Sequence, residues 1–130
     1  MHRTAFLSAL LFAQAASACP VLEGAKPLSS MEAAAPAAFV DFDDPTISTP
    51  FEMTVEFCGD AGEQIATMAF DAIMPAHQHG MNYRATVAVS GERSFRASNI
   101  VFHMPGLWEL RIEAETAGQK FNYTGEVLVE

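Results

Sequence analysis

The sequence predicts an all-β fold, an antiparallel β-sandwich of about seven strands. Three observations carry that expectation. Polar and apolar residues alternate with a period of two beyond Phe39, turn residues interrupt the alternation at short intervals, and no long amphipathic helix is encoded. A period of two places alternate side chains on opposite faces of a strand, so this pattern marks sheets with one face in a core and one in water.

The chain opens on a different pattern. Met1-His2-Arg3 is a short basic start, Ala5 to Ala13 is largely apolar, and Ala16-Ser17-Ala18 supplies small residues at the two positions a signal peptidase reads. Residues 1–18 are therefore expected to be a secretory signal. The apolar run is too short for a permanent membrane span, and no later segment is long and apolar enough to make one. Roughly 110 residues remain, enough for one domain with a single core and too few for a second. Residues 19–38 are rich in Ala, Ser and Pro and read as an N-terminal arm lying on the domain. Pro27 and Pro36 interrupt this arm, and a marginal helical turn is expected around Met31 to Ala35.

Residues 39–130 are the expected sandwich. Phe51, Met53, Val55 and Phe57 oppose Glu52, Thr54 and Glu56, and Gly59-Asp60-Ala61-Gly62 then turns the chain. Ala66, Met68, Phe70 and Ala72 repeat the alternation, and Val87 and Val89 continue it less cleanly. Beyond the turn Ser90-Gly91-Glu92-Arg93, a strand runs through Asn99 to Phe102. After Pro105-Gly106, Trp108, Leu110, Ile112 and Ala114 oppose Glu109, Arg111, Glu113 and Glu115. The turn Ala117-Gly118 leads to a last strand lined by Phe121, Tyr123, Val127 and Val129. Met53, Met68 and Trp108 fall on inward faces and are expected in the core.

Sixteen acidic residues against seven basic ones give a formal net charge of −9, one unit more negative once Arg3 leaves with the signal. Such a surface repels phosphates, which argues against a nucleic-acid partner. In an oxidising compartment, Cys19 and Cys58, the two cysteines, read as one disulfide joining the start of the mature chain to the end of the first long strand. Lipidation is the competing role for Cys19, because a bacterial lipoprotein is cut immediately before its lipidated cysteine. Ala16, standing where a large aliphatic residue is usual, argues against it. The two roles exclude each other. Periplasmic or secreted localisation is expected, with membrane attachment only if Cys19 is lipidated.

Function is expected at two short segments, Met74-Pro75-Ala76-His77-Gln78-His79-Gly80-Met81-Asn82-Tyr83 and Phe102-His103-Met104-Pro105-Gly106-Leu107-Trp108. They hold every histidine beyond the signal, His77, His79 and His103, together with Met74, Met81 and Met104. Imidazole suits Cu(II) and Zn(II), whereas thioether selects Cu(I). The mixture points to copper moving between Cu(I) and Cu(II); zinc is the second candidate, because Met adds little to its binding. Pro75 and Gly80 should keep the first segment an unpaired loop at one end of the sandwich. Two apart in extended chain, His77 and His79 would share one side. His103 should reach the same rim, where a loop and a strand end meet. Catalysis is not expected: no carboxylate neighbours the motif, no nucleophile–base pair is suggested, and no Gly-rich phosphate loop occurs.

The run from Met74 to Met81, followed by a strand and then Phe102-His103-Met104-Pro105-Gly106-Leu107-Trp108-Glu109-Leu110, resembles the YtkA-like and FixH-like group of small exported domains. The similarity extends from Phe51 to Val129. Those domains carry a Met-Pro-rich loop ahead of a Pro-Gly turn and a strand bearing Trp or Tyr. The resemblance implies an immunoglobulin-like sandwich, and copper handling or assembly of copper-containing respiratory enzymes. His77 stands where that group often has Met, which shifts weight from thioether to imidazole coordination. The expected function is a periplasmic copper-binding module that delivers or buffers the metal, partnered by a periplasmic or membrane-bound copper or redox protein. The alternative is a metal-free interaction module serving such a redox enzyme.

Overall fold

The computed structural model describes Cys19 and residues 23–130, so the expected signal at residues 1–18 lies outside the described residues. In chain order the elements are β1 Lys26–Pro27, β2 Ser29–Ser30, β3 Ala38–Asp41, β4 Phe51–Phe57, α1 Gly59–Glu63, β5 Thr67–Met74, β6 His79–Gly80, β7 Thr86–Gly91, β8 Ser94–Ile100, β9 Gly106–Glu115 and β10 Lys120–Val129. They form two five-stranded sheets, β1-β3-β4-β8-β7 and β2-β10-β9-β5-β6. Every pairing is antiparallel. Strands β1, β2 and β6 are two residues each. The seven longer strands divide into β3-β4-β8-β7 against β10-β9-β5, the constant-type immunoglobulin arrangement.

The period-two residues fill the interior as expected. Met53, Val55 and Phe57 from β4 meet Trp108, Leu110, Ile112 and Ala114 from β9, all buried, and Met68 joins them. Among the described residues no polar or charged residue is fully buried. Each large apolar side chain so placed contributes about 1.5–3 kcal/mol relative to exposure. Phe57 links the layers, edge-on to Phe95 at 5.9 Å and tilted against Tyr123 at 5.5 Å.

The arm is more structured than expected. Lys26 and Pro27 pair with Val40 and Phe39 in one sheet, and Ser30 and Ser29 pair with Tyr123 and Thr124 in the other, so the arm ties the two sheets together. Pro27 is tolerated because an edge strand has one side without a ladder partner. The expected turn at Met31 to Ala35 is a single hydrogen-bonded turn, the Ala35 N–H donating to the Glu32 carbonyl at 3.2 Å, while the Glu32 side chain bonds outward. Its carboxylate accepts the backbone N–H and the side-chain amide of Asn122, both at 2.9 Å. The Tyr123 hydroxyl donates to the Pro36 carbonyl at 2.7 Å. These bonds, with that from the Met31 N–H to the Asn122 carbonyl at 3.0 Å, fasten the turn to β10. The expected turn at residues 59–62 is instead the five-residue helix α1.

Cys19 and Cys58 form the expected disulfide, with Cα atoms 4.9 Å apart and a sequence separation of 39. The bridge engages the sulfur that a lipid would require. Closing a loop of this size restricts the unfolded chain by about 3–4 kcal/mol. The double variant Cys19→Ser/Cys58→Ser should lose about 2–4 kcal/mol in urea unfolding; an unchanged midpoint would show that the arm is held by its hydrogen bonds alone. The bonds from Asn122, its backbone N–H first, hold the Glu32 carboxyl below its ordinary value of 4.5. A lowered folded-state value stabilises the protein above the unfolded value and is lost as pH falls through the folded one. Glu32→Gln should therefore melt at a lower temperature than the parent at pH 7, with the difference shrinking below pH 4.5. Equal melting temperatures at pH 7 would refute a stabilising clamp.

Candidate metal centre

The first donor segment is a tight hairpin. Strand β5 ends at Met74, residues 75–78 turn, and β6 returns with His79 opposite Met74 and Gly80 opposite Ile73. The His77 N–H donates to the Met74 carbonyl at 3.2 Å, and Gln78 adopts a left-handed φ of 53° that closes the reversal. This corrects the expectation of an unpaired loop. Pro75 falls in the turn, where its missing N–H is not needed, so the two residues beyond the turn are free to pair. His77 thus lies in the turn and His79 on the returning strand, rather than both in one extended run. Their rings are nevertheless neighbours, both exposed, with centroids 6.1 Å apart and planes inclined by 34°. An imidazole nitrogen about 2 Å from a metal puts the ring centroid about 3 Å from it, so two rings on one ion have centroids up to about 6 Å apart. The observed separation of 6.1 Å lies at the upper limit of that span.

The second segment is delivered by a bent strand. Pairing of β4 with β8 shifts between Phe51 and Met53, and Asn99 on β8 has a φ of 57°. This bulge turns the chain toward the other sheet. Phe102 is buried and stacks on Trp108 at 4.7 Å with planes inclined by 21°. His103 stands edge-on to Trp108 at 5.6 Å. The indole N–H of Trp108 donates to the Met104 carbonyl at 3.0 Å, fixing the turn that carries both candidate donors. His103 Nδ1 is buried without a hydrogen-bond partner. An unpaired buried nitrogen of this kind costs about 1–3 kcal/mol, which a bound group can recover.

The two segments meet at Met74 and Gly106. Gly106 has a φ of 129°, and a Cβ built there would stand 2.8 Å from the Met74 methyl carbon. Met74 is itself 2 % exposed, so its sulfur belongs to the core. Met81 and Met104 are half-buried, packed against that core from the rim. Among the described residues, no three His, Cys, Asp or Glu side chains are gathered as a metal-holding group. Among the described residues the fold brings the His77 and His79 rings together and leaves His103 and Met104 on the second segment, without the expected gathering of three imidazoles.

A groove of about 1140 Å³ adjoins the hairpin, lined in part by Met31, Asp71, Met81, Tyr83, Glu109 and Arg111. Met31 and Tyr83 are 76 % and 66 % exposed. Sequence reasoning missed this feature. Asp71 and Arg111 stand opposite each other on β5 and β9, a pairing that alternation alone does not reveal.

Gly106→Ala should destabilise the protein by about 1–3 kcal/mol in urea unfolding, from backbone strain together with the contact at Met74. Gly118→Ala, with nothing within 4 Å of its added Cβ, serves as the control. Equal stabilities would mean that the rim is not held at this contact. Comparison of the chain with protein-family models, with curated proteins and with solved structures returned no match.

Proposed function

We propose that this end of the sandwich binds copper and that the domain carries or buffers the metal outside the cytosol. The observation that carries the reading is the exposed His77–His79 pair, whose ring separation of 6.1 Å suits two ligands on one ion. Imidazole serves both oxidation states, and Met81 and Met104 supply thioethers on the same two segments to favour Cu(I). His103, with an unpartnered nitrogen beside Met104, adds a further donor. The disulfide supports an oxidising compartment outside the cytosol. A net charge of −9 favours capture of cations. Exposed donors would let an acceptor protein exchange ligands one at a time, which suits delivery to a copper or redox enzyme. Met74 is assigned to the core, and zinc remains the second metal.

A metal-free interaction module is the second reading, favoured by the groove that Met31 and Tyr83 border. Copper titration against a competing chelator separates the two. The oxidised mature protein should bind copper, and His77→Ala and His79→Ala should each weaken binding by more than about 10-fold. Met104→Leu should weaken Cu(I) while sparing Cu(II). Unchanged affinity in both His77→Ala and His103→Ala would end the copper reading and leave the interaction module.

A further inference from the structure

We infer that a divalent ion at the His77–His79 hairpin is shared by two copies of the chain, each supplying its pair of imidazoles to one four-nitrogen site. This rests on the copper reading above and states what completes that site.

The hairpin supplies too few donors for the ions it suits. Cu(II) and Zn(II) bind imidazole well, and zinc held without an open position is almost always four-coordinate. His77 and His79 give two donors. Among the described residues no third His, Cys, Asp or Glu is gathered with them. His103 is held on the second segment, edge-on to the buried Trp108. Met74, which pairs with His79 across the hairpin, is buried in the core.

The tip is open to approach. Every residue from Pro75 to Gly80 is exposed, and β6 is the last strand of its sheet. Gln78, between the two histidines, has a left-handed φ of 53°, and the His77 N–H is tied to the Met74 carbonyl, so the backbone carrying both rings is already set. Between Asp71 and Arg84 the chain has no Asp, Glu, Lys or Arg. In a chain of net charge −9, copies repel one another over most of their surface. An uncharged projection is where they can come close, and a cation held between them offsets the remaining repulsion.

A second copy is the partner that meets these conditions. It brings the same two donors on the same uncharged tip, and a twofold axis through the ion makes the ligands equivalent in pairs. Two imidazoles in a tetrahedral site have ring centroids about 5 Å apart. The rings here are 6.1 Å apart, and small rotations of two uncovered side chains close the difference. The second pair then takes the two remaining positions from the opposite side.

Sedimentation velocity on the oxidised mature chain, with Cu(II) added in steps, tests this. The metal-free chain should be monomeric. Mass should double with Cu(II), the dimer should be most abundant at one ion per two chains, and a chelator should return the monomer. Paramagnetic resonance at that ratio should show coupling to four imidazole nitrogens. His77→Ala and His79→Ala should each abolish the doubling. Ala76→Arg, which opposes two cations at the tip, should weaken the dimer by about 10-fold while single chains still bind the ion. Ala117→Arg, in the turn at the far end of β9, should leave the dimer unchanged. Near-UV dichroism of Trp108 verifies that each variant is folded. A monomer carrying one ion per chain, with water or His103 of the same chain filling the other positions, overturns the sharing and leaves the copper reading standing. A dimer that forms without metal, or persists in both histidine variants, also overturns it. Absence of copper binding ends both.

Discussion

Burial of Trp108 at the head of β9 is the constraint from which the functional rim follows. An indole withdrawn from water must place its N–H on an acceptor, and here the acceptor is the Met104 carbonyl. That single bond sets the course of the chain between the two sheets. Phe102 covers one face of the ring and His103 meets its edge, so the residues ahead of β9 are positioned by the side chain two positions inside it. Removing an aromatic of this size from a core costs about 3–5 kcal/mol. The residues ahead of β9 are thus tied to the core through the indole.

Rigidity at the rim depends on the sheets beneath being held together. The arm performs that task from outside, pairing with β3 in one sheet and β10 in the other, with its start anchored to Cys58. Tyr123 contributes from within. Burial, reinforced by the negative charge of Glu32, pushes its hydroxyl up to about 12, so it stays protonated and donates to Pro36 throughout the neutral range. Core and arm thus share one strand, β10, whose alternate residues serve both.

The candidate donors differ in exposure. His77 and His79 project from a turn that nothing covers, while His103 and Met104 sit half-buried beside the tryptophan. The adjoining groove, with Tyr83 and Met31 at its border, places an apolar surface within reach of the same hairpin.

Strand identity was legible from alternation because a period of two is a local property: Phe51 to Phe57 and Trp108 to Glu115 needed no partner to declare which face was buried. The concentration of His and Met in two segments was equally plain, as was the pairing of the two cysteines. Other features were settled at a distance. Short strands such as Lys26–Pro27 and His79–Gly80 carry no periodic signal and exist because a neighbouring edge accepts them. Met74 looked like a rim donor, but it is buried in the core, its methyl packed against Gly106. Whether three imidazoles gather depends on the bulge at Asn99 and on the turn after Met74, and each is set by contacts between residues far apart in the chain. Pattern along a strand records which side is dry; where strand ends meet is decided by how two twisted sheets pack.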